Sequence, residues 1–206
     1  MMLHHIFDKM RSDHGFLTIS QIALLCEKGN MIFDPLSVLI SVHAEIGTGN
    51  VFYSGVTLIT GLGYGLTVGN HNFFHSNTFI EATAGSVHIG SENQFGEGGC
   101  TLKANRKGAR IEVGNKGRYL GGVSVSGQTQ IEDGSQILGP INVDNCCLKN
   151  GRSWQEPVAD ERAGLLKGYG TARNLTVGRR RVINGNGAFS ESMIEAQSRY
   201  HPASPL

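Results

Sequence analysis

Histidine is the residue type that most suggests chemistry in this chain of 206 residues, which contains eight of them. An unperturbed imidazole titrates near neutral pH, so a histidine can take a proton from a hydroxyl or amine and return it. His43, His71, His75 and His88 lie in the middle of the chain. His71 and His75 stand out because they share one short segment with asparagines whose amides could orient an imidazole.

Composition and charge exclude several classes of function. The formal net charge is +1, so we expect neither a nucleic-acid partner nor a membrane surface as partner. Charges interrupt the first nine residues, and no stretch reaches the roughly 18 apolar residues that span a bilayer. The four cysteines lack metal-binding spacing, so we expect reduced thiols, a cytoplasmic location and no metal site.

A period of six residues dominates the middle of the chain. Stepping by six from Ile89 to Val143 reaches ten positions, of which eight are apolar or aromatic: Ile89, Phe95, Val113, Tyr119, Val125, Ile131, Ile137 and Val143. The same step appears in shifted registers from Ile40 to Leu58 and from Val68 to Ile80. This period fits short strands joined by tight turns, with three strands in each coil of a parallel β-helix. The 29 glycines agree with a chain dense in turns.

The repeat divides the chain into three regions. We predict an N-terminal cap over residues 1–35, a β-helix over residues 36–149 and a C-terminal extension over residues 150–206. The cap contains a short predicted helix that begins at Thr18 or Ser20 and stops at Gly29. The extension contains a second predicted helix over residues 190–200, with a serine cap and an amphipathic pattern.

Two adjacent positions break the period, Thr101 and Lys107. The segment around them, residues 102–110, is polar and basic and has no core residue in register. We interpret it as a loop that leaves the coil at a corner. Its charges come from Lys103, Arg106, Lys107 and Arg110, which could bind phosphate groups or lie in solvent.

Segments such as IGSENQFGEGG (residues 89–99) and VSGQTQIEDGSQILGPINVDNC (residues 125–146) resemble the hexapeptide-repeat transferase superfamily. The resemblance implies a left-handed β-helix and a homotrimer. It also implies transfer of an acyl group from acetyl-CoA or another thioester to a small polar or sugar-like acceptor. In such enzymes a histidine between subunits is the general base, and no acyl-enzyme forms.

The resemblance and the register together rank the candidate residues. His75 directly follows the core residue Phe74, at a place where other turns have a glycine, serine or acidic residue. We therefore expect His75 to be the base, with His71 as the second candidate. The resemblance further implies that the basic loop, with Lys103, Arg106, Lys107 and Arg110, binds the phosphates of CoA. The alternative is that both histidines are exposed corner residues without a catalytic role.

The sequence is compatible with two other functions. Residues 81–93 and the ending Tyr200-His201 also resemble the small β-helical subunits of the dynactin pointed end, which implies a non-catalytic assembly module. A γ-class carbonic anhydrase is the third possibility, because that family needs three zinc-binding histidines. His71 and His75 are close together, with His43 upstream, but they do not form a convincing triad.

Overall fold

A computed structural model describes residues 2–201 of the chain, with side chains from His5 onward. Residues 1 and 202–206, the outer ends of the two predicted terminal regions, lie outside the described residues. Two helices open the described part, α1 (Met2–Asp13) and α2 (Ile19–Glu27). Helix α2 is the predicted one, and Thr18 caps it by accepting from the backbone N–H of Gln21 at 3.2 Å. No helix in this range is long and apolar enough to cross a membrane.

Short strands follow the helices almost without interruption. They are β1 (Met31–Ile32), β2 (Leu39–Ile40), β3 (Glu45–Ile46), β4 (Val51–Phe52), β5 (Thr57–Thr60), β6 (Leu66–Val68), β7 (Phe73–Phe74), β8 (Thr78–Ala82), β9 (Ser86–Ile89), β10 (Gln94–Gly96) and β11 (Cys100–Lys103). The later strands are β12 (Arg110–Val113), β13 (Arg118–Leu120), β14 (Val123–Ser126), β15 (Gln128–Ile131), β16 (Gln136–Leu138), β17 (Ile141–Asp144), β18 (Cys147–Leu148), β19 (Leu165–Arg173), β20 (Thr176–Val177), β21 (Arg181–Ala188) and β22 (Ile194–Ala196).

The strands form three columns of parallel pairs, which are the three faces of a coil. Face 1 contains β1, β4, β7, β10, β13, β16 and the first part of β19. Face 2 contains β2, β5, β8, β11, β14, β17 and the second part of β19. Face 3 contains β3, β6, β9, β12, β15, β18 and β20. The chain is therefore a left-handed parallel β-helix, as predicted.

The interior of the coil confirms the six-residue register. All eight apolar or aromatic positions reached from Ile89 are buried. On face 1 the inward side chains form an aromatic column, with ring centroids 4.9 Å apart from Phe52 to Phe74 and 5.1 Å apart from Phe74 to Phe95. Tyr119 continues this column at 5.0 Å from Phe95. Stacked inward side chains give the coil one continuous core.

The basic segment is a shorter excursion than predicted. Strands β11 and β12 reach into it from both sides, and Leu102 is buried. Only residues 104–109 form a turn between faces 2 and 3. The predicted segment begins too early. The corner just before β11, residues 96–99, has one residue more than the equivalent corner between β13 and β14, so the register shifts by one residue. Leu102 therefore occupies the core position that the register gave to Thr101.

The coil also continues past residue 149, where we expected it to end. Face 1 advances by 18 residues from Arg118 to Gln136 but by 29 from Gln136 to Leu165. The 11 additional residues belong to a segment over residues 150–164 that leaves the coil between faces 3 and 1, which we call the side segment. Because this insertion interrupts the period of six, the sequence pattern does not predict the turns formed by β19, β20 and β21.

The C-terminal extension closes the coil without the continuous helix that its pattern predicted. Strand β22 pairs antiparallel with β21, and single turns of 3-10 helix flank it at Glu191–Met193 and Gln197–Arg199. Gln197 is fully buried and its amide nitrogen donates to the carbonyl oxygen of Ala163 at 2.5 Å. This buried hydrogen bond ties the last segment to the coil, so the residues that amphipathic spacing assigned to one helix form a short strand and two single turns instead.

Candidate functional site

A groove of about 1190 Å³ runs along the outer side of face 1 and the corner between faces 3 and 1. Tyr53 lies at one end, and the side segment with Trp154 forms the other. His71 and His75 both line this groove. The structure therefore places the two histidines ranked highest from the sequence beside one cavity.

A ladder of buried asparagines forms the corner behind the groove. Its members are Asn30, Asn50, Asn72 and Asn93, one on each successive turn. The side-chain oxygen of Asn72 accepts from the backbone N–H of Asn93 at 2.9 Å, and its amide nitrogen donates to the carbonyl oxygen of Gly90 at 2.9 Å. The same pattern links the other members. Each side-chain amide thus donates to a backbone carbonyl oxygen and accepts from a backbone N–H that would otherwise be buried without a partner. The ladder fixes the backbone that carries His71 and Phe73.

His75 is held between an aromatic ring and a glycine. Because side chains alternate along a strand, Phe74 points into the core while His75 stays on the outside of the coil. Its imidazole stacks on the ring of Tyr53, with centroids 5.0 Å apart and planes inclined by 14°. On the next turn lies Gly96, where a Cβ atom would come within 2.5 Å of the His75 Cβ. The stack on Tyr53 and the lack of a side chain at Gly96 leave the ring half-buried at the edge of the groove.

His71 lies in a more open environment. It is exposed and adopts a left-handed backbone conformation with φ of 57°. Its backbone N–H donates to the carbonyl oxygen of Thr48 at 2.9 Å, but its ring makes no hydrogen bond within the described residues. The asparagines expected to orient it, Asn70 and Asn72, direct their side chains to backbone groups of the coil instead. His71 is thus less well positioned than His75.

His43 and His88 lie away from the groove. His88 is on face 3, where its Nδ1 is 2.8 Å from the hydroxyl oxygen of Thr67. His43 is exposed in the turn that precedes β3. Within residues 5–201, whose side chains are described, no group of three or more histidine, cysteine, aspartate or glutamate side chains is arranged to hold a metal ion.

The four basic residues predicted to bind CoA share one corner, between faces 2 and 3, which we call the basic corner. Three of them contact neighbouring side chains: Lys103 lies 5.4 Å from the ring centre of Phe79, Arg106 pairs with Asp144 at 3.1 Å, and Arg110 pairs with Glu112 at 2.5 Å. Lys107 is exposed. In a triangular coil this corner is opposite face 1, so one chain does not bring the basic residues to the groove.

The side segment contributes residues that sequence reasoning missed. The guanidinium of Arg118 lies 4.6 Å from the ring centre of Trp154 and donates to the side-chain oxygen of Gln136 at 3.0 Å. Burial lowers the pKa of Arg118, and nearby Glu97 opposes that change. Its Nε is buried and has no hydrogen-bond partner among the described residues. The sequence did hold one signal, because Trp154 is the single tryptophan of the chain.

Hydrogen bonds and ion pairs fix the side segment to the coil at both ends. At its start, Glu132 accepts from Lys149 Nζ at 2.8 Å and from the backbone N–H of Asn150 at 2.9 Å. Near its end, Glu161 pairs with Arg179 and Arg180, two of the three consecutive arginines that follow β20. The wall of the groove that carries Trp154 is therefore held in place against face 1.

No protein-family model and no curated protein sequence matches this chain. Among the solved structures similar to it is PerB from Caulobacter crescentus, determined in complex with CoA and GDP-perosamine. The two share 12% sequence identity over 87% of this chain, with a TM-score of 0.21. This chain spans 63% of the length of PerB. A similarity of this size supports no argument about function, which depends here on the groove and its residues.

Proposed function

We propose that this protein is an acyltransferase that moves an acyl group from a CoA thioester to a small polar or sugar-like acceptor. The observation that carries the proposal is the position of His75, whose imidazole is half-buried at the edge of a large groove between Tyr53 and Gly96. A base must lie within reach of the proton that it takes and must keep its orientation. His75 meets the second condition through its stack on Tyr53, and unlike the hydrogen-bonded His88 it also lines the groove.

In the proposed reaction the acceptor hydroxyl or amine gives a proton to His75. The acceptor oxygen or nitrogen forms a bond with the thioester carbonyl carbon, and the carbon–sulfur bond then breaks. His75 returns its proton to the leaving sulfur, so the products are the acylated acceptor and a free thiol. No bond between the acyl group and the protein is needed.

We propose acetyl-CoA as the donor and a homotrimer as the active assembly. Face 1 exposes apolar side chains beside the groove, including Met31 at 51%, Phe33 at 58% and Phe73 at 46% of their accessible surface. Contiguous exposed apolar side chains mark interaction surfaces. A second copy packed near this face could bring its basic corner, with Lys103, Arg106, Lys107 and Arg110, to the phosphates of CoA. All four cysteines are free, which agrees with the cytoplasmic location that we propose.

Binding and turnover test this proposal together. We expect acetyl-CoA to raise the melting temperature of the wild-type protein, and thiol release to occur with a suitable amine or hydroxyl acceptor. Reversing the charge of the exposed Lys107 should weaken acetyl-CoA binding, whereas reversing that of Lys28, exposed at the end of α2, should not. If neither acetyl-CoA nor another acyl thioester shifts the melting temperature at millimolar concentration, the proposed function is wrong.

The second candidate function is a non-catalytic assembly module. The same exposed apolar residues of face 1 favour it, because a partner protein could cover them as well as a second copy could. The two candidates differ in what Phe33→Lys changes. For a homotrimer the variant sediments as a smaller species than the wild type. For an assembly module the wild type is a monomer alone, and the variant fails to join a larger complex.

A further inference from the structure

Gln94 lies directly between His75 and the carboxylate of Glu97. The side-chain nitrogen of Gln94 is 3.3 Å from His75 Nε2 and 3.4 Å from Glu97 Oε1. Gln94 occupies β10, one turn after Phe73 and on the outer side of face 1, and it lines the groove. The three side chains thus form a short chain that runs from a carboxylate to an imidazole.

The partner groups determine the direction of these hydrogen bonds. An ionised carboxylate can only accept, so the amide group of Gln94 that faces Glu97 must be the –NH2. The second hydrogen of that nitrogen is then available to His75 Nε2, which must accept it through a lone pair. A neutral imidazole with a lone pair on Nε2 carries its proton on Nδ1.

The backbone around Glu97 shows that this arrangement has a cost. Residues 96–99 all have positive φ, with Glu97 at 47° between Gly96 at 106° and Gly98 at 100°. Glu97 is the one member of this corner with a side chain, and left-handed backbone is unfavourable for such a residue. Seven other non-glycine residues of the described chain share this backbone conformation, so it does not by itself mark a functional site. At this corner a glycine would relieve the strain but would remove the carboxylate that orients Gln94.

We propose that Gln94 is a positioning residue that fixes His75 as the Nδ1–H tautomer, with Glu97 fixing the orientation of Gln94. Nε2, on the side of Gln94, is then the basic nitrogen, and stacking on Tyr53 keeps the ring in that orientation. The catalytic meaning rests on the proposed function: the acceptor hydroxyl or amine takes the place of the Gln94 amide and gives its proton to Nε2.

Nitrogen NMR of the imidazole measures the tautomer directly, without any substrate. In the wild-type protein, above the pH at which His75 is protonated, we expect the Nδ1–H form to predominate. Gln94→Leu should reduce the ratio of Nδ1–H to Nε2–H by about fivefold, the effect of one hydrogen bond. Gln94→Glu has the same shape but can only accept, so it should move the proton to Nε2. Gln130→Glu, on the exposed side of face 3, is the matched control and should leave the His75 signals unchanged.

The Glu97 step has its own variant. Glu97→Gln frees the Gln94 amide to turn over, so both tautomers of His75 should appear. An unchanged Nδ1–H signal in Gln94→Leu, or a predominant Nε2–H signal in the wild type, would overturn the inference. Since Gln94→Glu retains the size of the side chain, it serves as the test if Gln94→Leu fails to fold.

Activity measurements separate this inference from the proposed function. A wild-type protein that shows the expected tautomers but transfers no acyl group supports the positioning role and refutes the acyltransferase. A protein that transfers acyl groups but keeps its rate in Gln94→Leu and Gln94→Glu refutes the catalytic meaning of Gln94 alone. If Gln94→Glu lowers kcat more than it raises KM, both proposals gain support.

Discussion

Gly96→Ala is the substitution that most directly tests how the coil positions His75. An alanine Cβ at this site would lie 2.5 Å from the His75 Cβ and 3.2 Å from its Cα. Real Cβ atoms do not approach that closely, so the end of β7 or β10 must move. The backbone of residue 96 also has a φ of 106°, which an alanine adopts with strain. The variant should therefore be less stable and should displace the imidazole.

The magnitude follows from these two effects. Left-handed backbone costs an alanine roughly 1–2 kcal/mol, and overpacking a fixed site costs roughly 1–3 kcal/mol more. We therefore expect Gly96→Ala to lower the free energy of unfolding by about 2–5 kcal/mol. Gly108→Ala is the matched control, because residue 108 has a φ of 80° but no atom within 4 Å of the added Cβ. It should lose only the roughly 1–2 kcal/mol of backbone strain.

Urea denaturation of both variants measures the difference, and a double variant identifies its cause. His75→Gly removes the atom that the new methyl group meets, so Gly96→Ala should cost less in that background than in the wild type. Two results would refute this role of Gly96: equal losses of unfolding free energy in Gly96→Ala and Gly108→Ala, or no coupling between positions 75 and 96. Either result would mean that Gly96 does not define the position of the imidazole.

Two further predictions concern the elements that support the groove. Asn72→Ala removes four hydrogen bonds of the asparagine ladder and should lower the free energy of unfolding by about 3–5 kcal/mol. The control is Asn105→Ala in an exposed turn, which should change the free energy of unfolding by less than about 1 kcal/mol. Equal losses in calorimetry would contradict the role of the ladder. Burial raises the pKa of Glu132, but hydrogen bonds from Lys149 and Asn150 outweigh it, so the pKa lies below its ordinary value. Glu132 therefore stabilises the fold fully above its ordinary pKa, and this stabilisation is lost as the pH falls through the pKa of the folded state. Glu132→Gln should abolish this acid-side loss in a stability–pH profile, and an unchanged profile would refute it.

The core of the coil was predictable because the physical rule behind it is simple. Side chains alternate across a strand, and stacked turns place one large apolar residue above another, so the period of six residues reports the core directly. Phe95, Tyr119 and Ile137 were therefore assigned correctly from spacing alone. His75 was ranked from the same register as a ring directly after a core residue, but its own face has Tyr53 and Leu120 at equivalent positions, so its catalytic role stays a prediction.

The corners were predictable only in part, because their length can change without affecting the core. One additional residue at 96–99 moved the core position from Thr101 to Leu102, and the side segment hid the later turns. The contact between Trp154 and Arg118 depends on where that segment folds back, which local spacing does not specify. The sequence showed that the basic corner is charged. It did not show that this corner lies opposite face 1, because that position depends on how the strands are distributed over the three faces.

The Gln94 contact was not predictable for a related reason. Gln94 and His75 lie on adjacent turns of the coil, and the distance between their side chains depends on the register between β7 and β10. A glutamine on the outer side of a strand has no special signal in a single sequence. The left-handed backbone of Glu97 likewise becomes visible only once the corner is built.

The most direct test of the acyltransferase proposal compares His75→Gln with His88→Gln. Both replace an outward-facing histidine of the coil, but only His75 lines the groove. The measurement is thiol release from acetyl-CoA with an accepted acceptor, on protein shown to be folded. We expect a loss of about 10²-fold or more for His75→Gln, as for removal of a general base, and a change of less than about twofold for His88→Gln. Equal rates for His75→Gln and the wild type would contradict the proposed role of His75 as the base.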